Sequence, residues 1–432
     1  MFKKYDIRGI YPDQINEKIS YKLGRSIGTY FDGISFGVGR DTRDTSKKIE
    51  EHLIKGLMDS GSDVNYIGVS TTPIMSFYSM KENKKSLEIT ASHNPKEYTG
   101  IKFFSEDGMP FNNFEGIKEI FESKNFIDAK GNFKNIEDFG ENYVDKFTKK
   151  FHSNLTVVVD TLGGAASYYC PKSLERIGCN VVSIYDEYSG NFYGRNPEPK
   201  KSNLHDLQNE VLHQGADFGV AIDPDGDRAV FVDNNGSVIE GSDMNCIFLK
   251  ELPKPLKAVA TIDNSQTLEK MKDVDIIWSK IGNVYVERLV REYNADFGCE
   301  ASGHFCFGKY LPTMDGTLSS LVLADLLNDS EKKLSDLHEE IEKANIFYKN
   351  FKYETVQERD KIFDKVLDYF GDRENISVLD GIKVIENDYW FLLRPSNTEP
   401  KIRLTIEGNS NEENEKIFSE IKGILGEING NS

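Results

Sequence analysis

The chain has 432 residues and carries 53 Lys and Arg against 71 Asp and Glu, a formal net charge of −18. This acidic balance argues against a nucleic-acid partner or an anionic membrane surface. No uninterrupted apolar stretch approaches the roughly 20 residues of a membrane span, and no apolar signal segment opens the chain, so no membrane partner is expected. The five cysteines show no C-x-x-C spacing, which favours a reducing, cytoplasmic location.

Recurrent α/β units follow one another along the chain. The first, residues 1–150, shows a periodic helix over 15–30, a Gly-rich strand over 34–39 and a charged helix over 140–151. This alternation is typical of an α/β domain.

The remaining chain divides into three further units. Residues 151–237 open on an apolar strand and end after an acidic loop, and residues 238–345 end on a helix over 332–344. Residues 346–432 alternate helix and strand signals. The similar βα repetition of the first three units predicts mixed sheets of related topology.

The first candidate for chemistry is the run Ile-Thr-Ala-Ser-His-Asn-Pro, which contains Ser92 and His93. The turn-forming Asn94 and Pro95 predict an exposed loop that presents the serine hydroxyl to a cleft. No Gly-x-Ser-x-Gly sequence surrounds Ser92, and adjacent loop residues rarely hydrogen-bond as nucleophile and base, so a hydrolase triad is not supported. A lone Ser-His pair would be structural in most proteins.

A buried strand is predicted over 100–104, in which Lys102 points opposite to Ile101 and Phe103. Lys102 is either solvated or faces the Ser92 loop. In the second case it would supply a proton shuttle, or a charge for a transferring phosphoryl group.

A second motif is an acidic turn in which Asp223, Asp225 and Asp227 alternate with Pro and Gly. It is not a calcium EF-hand loop, because the sixth and twelfth positions are Arg228 and Asn234 instead of Gly and Glu. Crowded carboxylates repel one another unless a cation compensates, which favours a metal site over a solvated acidic turn. Octahedral oxygen coordination, with one position left for a phosphate oxygen, suits Mg²⁺.

A third motif near the C-terminus brackets hydroxyl and amide donors with two arginines, in a proline-bounded loop between two predicted strands. Arginine matches a phosphate bidentately, so the loop predicts a phosphate cradle, and a plain polar hairpin would not need this density of donors. Its candidate ligands are Arg394, Ser396, Asn397, Thr398 and Arg403.

A fourth motif places Glu300, Ser302 and His304 at alternating positions of a Gly-flanked loop. Acceptors and donors at this spacing bind sugar hydroxyls well, although the pattern alone has low specificity.

These four motifs, in this order, resemble the alpha-D-phosphohexomutase family over essentially the whole chain. The segments 2–9 and 394–398 are most similar to its phosphomannomutase/phosphoglucomutase branch. The phosphoglucosamine mutases usually open with a Gly-Thr-Asp-Gly segment and carry Gly where Asn397 stands. The resemblance implies three related mixed-sheet α/β domains, plus a smaller, hinged C-terminal α+β domain that closes a central cleft.

The resemblance also implies roles for individual residues. Ser92 would be the phosphoserine, and one of its phosphate oxygens would complete the shell of Mg²⁺. The implied catalytic residues are Ser92, Lys102, Arg8, His93 and Arg228. The implied metal ligands are Ser92, Asp223, Asp225 and Asp227. The implied substrate-binding residues are Glu300 and Ser302 at sugar O3 and O4, His304 and Lys280 beside them, and Arg394, Ser396, Asn397, Thr398 and Arg403 at the non-reacting phosphate.

One residue departs from the family pattern. After the segment 278–282 the family commonly has a His, and here the residue is Asn283. Because Asn cannot titrate near neutrality, any acid/base role at this place falls to His304 or Lys102, or is absent.

The expected function is a Mg²⁺-dependent mutase that interconverts hexose 1-phosphate and hexose 6-phosphate, with mannose or glucose as the sugar. Its intermediate and activator would be a hexose 1,6-bisphosphate, and its only partner would be a small sugar phosphate. The enzyme is expected to be a monomer or a homodimer. A phosphoglucosamine mutase is an alternative. A phosphatase that hydrolyses its own phosphoserine would not need the second phosphate cradle, and a non-catalytic binding protein would tolerate loss of Ser92.

Overall fold

The computed structural model describes residues 1–371, 375–396 and 400–425. Within these residues the chain forms four separate sheets, and the strand Val238–Ile239, predicted to belong to the third unit, pairs in the second sheet. The strands of the first sheet are Ile7–Ile10 (β1), Phe36–Arg40 (β2), Val64–Val69 (β3), Lys85–Ile89 (β4), Tyr98–Phe104 (β5) and Phe133–Asn135 (β6). The helices around it are Glu17–Tyr30 (α1), Asp44–Met58 (α2), Thr72–Glu82 (α3), Glu115–Ser123 (α4) and Phe139–Thr148 (α5). The strand order is β1-β5-β4-β2-β3-β6, with β4, β2, β3 and β6 parallel and β5 and β1 antiparallel to their neighbours.

The second sheet has five strands instead of six and repeats the same arrangement of parallel and antiparallel strands. Its strands are Thr156–Asp160 (β7), Asn180–Ile184 (β8), Phe218–Ile222 (β9), Ala229–Asp233 (β10) and Val238–Ile239 (β11). Its helices are Ala166–Arg176 (α6) and His205–Gln214 (α7). The order is β11-β10-β9-β7-β8, in which β8, β7 and β9 are parallel and β10 and β11 antiparallel.

The third sheet has the same plan again. Its strands are Leu256–Thr261 (β12), Val274–Ser279 (β13), Phe297–Cys299 (β14), Phe305–Phe307 (β15) and Leu311–Met314 (β16). Its helices are Gly241–Glu251 (α8), Asn283–Glu292 (α9), Gly316–Asn328 (α10) and Leu334–Glu339 (α11). The order is β13-β12-β14-β15-β16, with β13, β12 and β14 parallel.

The fourth sheet is antiparallel throughout its described strands, in the order β17-β21-β20-β19-β18. These strands are Ile346–Lys352 (β17), Ile376–Ser377 (β18), Ile382–Ile385 (β19), Trp390–Pro395 (β20) and Lys401–Glu407 (β21). The helices Val356–Phe370 (α12) and Asn411–Leu425 (α13) pack on it. The predicted fold class, three mixed-sheet α/β units and a C-terminal α+β unit, is confirmed.

The three mixed sheets share one feature that positions the site. In each, the last parallel strand turns back into an antiparallel partner, at β4–β5, β9–β10 and β14–β15. The loops of these three hairpins contain Ser92, the acidic turn and the Glu300 segment. Equivalent positions in three related sheets therefore supply three of the four predicted functional loops.

The hydrophobic cores explain why these loops have firm supports. One cluster of buried side chains runs through the second and third units and includes α3 and α5 of the first. The ring of Phe248 lies 5.2 Å from those of Phe305 and Phe307, centroid to centroid. Each buried aromatic side chain removes a large apolar area from water and fills space at crystal-like density. The three hairpin loops are therefore supported by sheets whose side chains are closely packed.

The C-terminal sheet is fastened to the third unit by a buried lysine. Lys383 on β19 donates to the carbonyl oxygen of Ile262 at 2.7 Å. Its ammonium lies 4.8 Å from the ring centroid of Trp278 and 4.0 Å from that of Trp390. Cation–π contacts are strengthened when the cation is withdrawn from water. This contact sets the position of β20 and β21 relative to the third unit.

Within the described part of the chain, none of the helices combines the length and the apolar character that crossing a membrane requires.

Glu287 on α9 provides a test of how the third unit is held together. Its Oε1 accepts from Met314 N at 3.0 Å and from the Thr313 hydroxyl at 3.1 Å. Burial raises the pKa of Glu287 from 4.5 to about 7. A raised pKa in the folded state favours folding at acidic pH, and this contribution is lost as the pH rises through about 7.

Glu287→Gln, which stays neutral, is therefore expected to melt several degrees above the unmodified protein at pH 8. The underlying difference is roughly 3 kcal/mol in the free energy of unfolding. It should shrink to about half or less at pH 5.5, where the native carboxyl is already protonated. Thermal melts followed by circular dichroism measure both values, and an equal shift at the two pH values would contradict the assignment.

Candidate active site

Loops from all four units meet around one cavity of about 430 Å³. This volume falls in the range of small-molecule sites. Of the residues implied at the sequence level and described by the structure, all line the cavity except Asp223, Asp225 and Lys280. Asp223 and Asp225 are buried beside its wall, Lys280 is exposed, and Asn397 and Thr398 lie outside the described residues.

Ser92 occupies a tight turn between β4 and β5. Its φ of +50° is in the left-handed region, which few residues other than Gly adopt. The Ser92 hydroxyl lies 3.1 Å from Asp223 Oδ2 and 3.3 Å from His93 Nδ1. Contrary to the expectation for adjacent loop residues, His93 is thus within reach of Ser92. Burial and the nearby Arg228 lower the pKa of His93 to about 2, so the ring is neutral.

Arg43, at the start of α2, holds the serine loop in this conformation. Its guanidinium is fully buried and donates to the carbonyl oxygens of Ser92, of Asn94 at 2.6 Å and of Pro95 at 2.8 Å. Its Nε donates to Asp41 Oδ2 at 3.0 Å. The Arg43 guanidinium therefore provides hydrogen-bond donors for three carbonyl oxygens of the serine loop that point into the protein.

The acidic turn has the predicted convergent geometry. Asp223, Asp225 and Asp227 place carboxylate oxygens within 4.8 Å of one another, and all three residues are buried. Gly226, with a φ of +79°, allows the sharp reversal that brings them together. Burial and the adjacent Asp225 raise the pKa of Asp223 well above its usual value. Three buried carboxylates in this volume need a cation to remain ionised.

Lys102 supplies part of that charge. Its Nζ donates to Asp225 Oδ2 at 2.6 Å and to Asp227 Oδ2 at 2.8 Å. It also donates to the Thr72 hydroxyl at 3.1 Å. Burial lowers the pKa of Lys102, but Asp225 and Asp227 outweigh it and hold that pKa well above its usual value. Lys102 is therefore not solvated, and its ammonium is directed at the acidic turn, a position that neither alternative named.

The acidic turn also fits a divalent cation. Asp225 Oδ1 is buried and accepts no hydrogen bond from any described residue, which leaves a charged ligand atom available. An all-oxygen set of carboxylates is what Mg²⁺ prefers. The Ser92 hydroxyl beside Asp223 lies where a serine-linked phosphate would reach the same cation.

Two arginines stand beside the serine. Arg8 on β1 pairs with Asp6 and donates to the side chain of Asn94, which is two residues after Ser92. Arg228 donates through its backbone N–H to Asp223 Oδ1 at 3.1 Å, and its side chain reaches His304. Both guanidinium groups line the cavity and can attract a phosphoryl group.

The third hairpin brings Glu300 and His304 to the cavity, where His304 lies next to the acidic turn. His304 Nδ1 lies 2.8 Å from Glu300 Oε2 and 2.8 Å from the Ser302 hydroxyl. Burial and Arg228 lower the pKa of His304, but the carboxylates of Glu300 and Asp227 outweigh them and raise it to about 9. The carboxylate of Glu300 also accepts from the backbone N–H of Gly282 at 2.7 Å. This network fixes Glu300 as an acceptor at the cavity wall.

The segment that precedes α9 meets this network. Asn283, the first residue of α9, lines the cavity at the position where the family commonly has His. Lys280 is exposed instead, with its ammonium 5.8 Å from the ring centroid of Tyr285. The structure therefore brings Asn283, and not Lys280, to the cavity surface formed by the described residues.

The candidate phosphate cradle lies on the fourth sheet. Arg394 on β20 and Arg403 on β21 are directly opposite each other in the antiparallel register. Like charges at such positions are destabilising unless an anion lies between them. Ser396 joins them at the cavity lining. The arrangement is suited to a bound phosphate at the part of the cavity lining that the fourth sheet supplies.

Arg43, which the sequence offered only as one of several arginines beside the motifs, and three residues that sequence reasoning did not single out complete the site. Arg43 and Thr72 hold the serine loop and Lys102, as described above. Glu88 on β4 is fully buried near the acidic turn, and Asp263 lines the cavity together with Arg394. Burial, with the charge of Asp225, raises the pKa of Glu88 well above its usual value. The available signal was the position of Glu88 between Leu87 and Ile89, on the strand that leads into the serine loop.

Comparison with known proteins identifies the family. Models of its four domains match in order: the phosphoglucomutase/phosphomannomutase alpha/beta/alpha domains I, II and III at residues 1–128, 136–236 and 241–344, and the C-terminal domain at residues 349–424. The chain belongs to the phosphoglucomutase/phosphomannomutase family. The expected membership is confirmed, and the protein is an enzyme of the mutase class.

Family members of different stated activity are similarly close. A probable phosphoglucosamine mutase of Methanosphaera stadtmanae is 33% identical over 434 residues, which cover 95% of each chain. A phosphomannomutase of Methanocaldococcus jannaschii is 32% identical over 446 residues, which cover 99% of this chain and 98% of that protein. The crystal structure of a family protein from Burkholderia thailandensis superposes with a TM-score of 0.88 at 24% identity, covering 98% of this chain and 96% of that one, and shows the shared fold.

Arg43→Lys tests the support of the serine loop in this mutase. A lysine ammonium cannot span the three carbonyl oxygens, so the loop should lose its fixed position and kcat should fall about 10- to 100-fold. Amide hydrogen exchange over 90–97 should accelerate in the same variant. Arg176→Lys, which alters only exposed ion pairs, is the matched control. Unchanged exchange over 90–97 would show that Arg43 does not hold the loop.

Proposed function

We propose that this protein is a Mg²⁺-dependent phosphohexomutase that interconverts the 1-phosphate and 6-phosphate of mannose or glucose through a phosphoserine at Ser92. One observation carries the proposal. A serine hydroxyl 3.1 Å from a cluster of three buried aspartates shares a cavity with two arginines that face each other on a separate sheet. A phosphoryl donor and a second phosphate anchor in one cavity are what a mutase needs.

The residues around Ser92 supply the transfer chemistry. Mg²⁺, when bound to the acidic turn, would neutralise charge on the phosphoryl group as it moves between oxygens. Arg8, Arg228 and Lys102 place further positive charge on the same side of the cavity. His93 lies beside the serine hydroxyl with a neutral ring.

The opposed arginines define the other end of the reaction. While phospho-Ser92 donates to the free O1 or O6 of the sugar, Arg394 and Arg403 would hold the phosphate already present. The resulting hexose 1,6-bisphosphate then turns end for end, and its other phosphate returns to Ser92. The cradle accepts a phosphate from either end of the sugar, because guanidinium groups recognise the phosphate alone.

Sugar recognition falls to the Glu300 loop. The Glu300 carboxylate and the Ser302 hydroxyl are proposed to bind O3 and O4 of the sugar. These two oxygens stay near the centre of the bound sugar in both of its orientations. O2 is then not bound by a specific polar group. Mannose and glucose differ only at C2, so discrimination between them would be small.

Glucosamine phosphate is the second candidate substrate. Relatives named as phosphoglucosamine mutase and as phosphomannomutase are 33% and 32% identical to this chain, a difference too small to separate them. Coupled assays on mannose, glucose and glucosamine 1-phosphates would rank the substrates directly. A phosphatase that hydrolyses its phosphoserine is disfavoured, because hydrolysis would give Arg394 and Arg403 no role.

A cytoplasmic location is part of the proposal. All five cysteines are buried and none is in a disulfide. Buried free thiols persist in a reducing compartment.

Ser92→Ala tests the proposed nucleophile. Turnover should fall by several orders of magnitude while substrate binding changes little, because the hydroxyl acts in bond formation and not in the cradle. Mass spectrometry of the peptide containing Ser92, after incubation with hexose 1,6-bisphosphate, should show an added phosphate in the unmodified protein. Retention of more than about a tenth of the original turnover would remove Ser92 from the mechanism.

Arg394→Ala and Glu300→Ala separate anchoring from sugar recognition. The first removes a phosphate contact worth about 2 to 4 kcal/mol, so kcat/KM should fall roughly 30- to 1000-fold for every hexose phosphate alike. The second should affect mannose and glucose 1-phosphates far more than galactose 1-phosphate, whose axial O4 is poorly placed for Glu300. Steady-state kinetics on the three sugars decide the matter. Equal proportional losses in Glu300→Ala would mean that this loop does not bind O4.

A further inference from the structure

A fourth carboxylate lies behind the acidic turn and has no part in the proposed chemistry. Glu88 on β4 is fully buried and stands directly opposite Lys102 of β5 in the antiparallel register. Side chains at such positions share one face of the sheet, with Cβ atoms about 4.5 to 5.5 Å apart. The carboxylate of Glu88 is therefore within reach of the Lys102 ammonium.

Thr72 already joins the two side chains. Its hydroxyl lies 2.5 Å from Glu88 Oε2 and accepts from Lys102 Nζ at 3.1 Å. The same hydroxyl is 3.1 Å from Asp225 Oδ2. Glu88 Oε1 is buried and accepts no hydrogen bond from a described residue. A buried acceptor without a donor costs free energy, and Lys102, at the facing position of β5, could supply one.

The ammonium and a divalent cation would compete for the acidic turn. Lys102 Nζ now contacts Asp225 Oδ2 and Asp227 Oδ2, on two of the carboxylates proposed as metal ligands. A cation on the other oxygens of these carboxylates would stand roughly 5 Å from the ammonium, where the repulsion is several kcal/mol even at an effective dielectric constant of about 20. Movement of Lys102 toward Glu88 relieves this repulsion without exposing the ammonium to water.

We propose that Glu88 is a positioning residue that receives the Lys102 ammonium when a divalent cation binds the acidic turn. The inference rests on the metal site of the proposed function. It gives Lys102 two positions, one on the aspartates without the metal and one on Glu88 with it. Glu88 thereby strengthens metal binding without touching the metal.

Metal affinity, measured without any turnover, tests the inference. Mn²⁺ binding followed by electron paramagnetic resonance should be about 10-fold weaker in Glu88→Gln, because the displaced ammonium then lacks a charged acceptor. Glu50→Gln is the matched control, since Glu50 is another buried carboxylate of the first unit and pairs with Arg40 instead. Its affinity for Mn²⁺ should be unchanged. Equal affinity in Glu88→Gln and the unmodified protein would overturn the proposal.

A second background separates positioning from a direct effect of charge. In Lys102→Met there is no ammonium to move, so adding Glu88→Gln should change the Mn²⁺ affinity less than about twofold. The same 10-fold loss in both backgrounds would mean that Glu88 acts on the metal directly, and the proposal would be wrong.

A crystal structure of the unmodified protein with Mg²⁺ gives a reading that needs no variant. Lys102 Nζ should lie within about 3.2 Å of a Glu88 carboxylate oxygen. An ammonium that stays on Asp225 and Asp227 beside the bound metal would overturn the proposal. Failure of the unmodified protein to bind Mn²⁺ at all would contradict the proposed metal site as well, whereas unaltered binding in Glu88→Gln contradicts this inference alone.

Discussion

Negative charge buried behind the serine is the constraint on which the rest of the structure depends. Asp223, Asp225, Asp227 and Glu88 are withdrawn from water within one small region. Carboxylates in such a place stay ionised only when cations or donors surround them. Lys102 and the backbone N–H of Arg228 are directed at this region for that reason. Lys102 of the first unit donates to Asp225 and Asp227 of the second, so the two units are held together at this point.

Sheet topology determines where the functional groups can stand. Three related mixed sheets each end their parallel part in a hairpin, and the three hairpin loops face one cavity. The fourth sheet differs in being antiparallel, and it contributes charge from Arg394 and Arg403 on a pair of facing strands. Loops vary without disturbing the strands beneath them, so relatives of one fold can differ in the sugar they bind.

Local sequence was sufficient for the parts of the site that depend on local geometry. The acidic turn was predictable because Pro and Gly exclude a regular strand, and the convergence of its carboxylates is confirmed. The strand expected over 34–39 is Phe36–Arg40, and the helix expected over 332–344 is only Leu334–Glu339. Side chains that act across the sheets were not predictable. Arg43 and Glu88 reach their partners through strand register and helix placement, which the spacing of residues along the chain does not reveal.

The wide sequence separation of the site residues has a consequence for folding during synthesis. Ser92 and Asp223 are 131 residues apart, and Thr72 and Asp225 are 153 apart. The first unit therefore leaves the ribosome long before the acidic turn exists, since domains generally fold as units from the N-terminus. At that stage the Lys102 ammonium has one buried carboxylate on its own sheet, Glu88. Pairing between Glu88 and Lys102 can neutralise both buried charges in the nascent first unit until the second unit has folded and its aspartates contact Lys102.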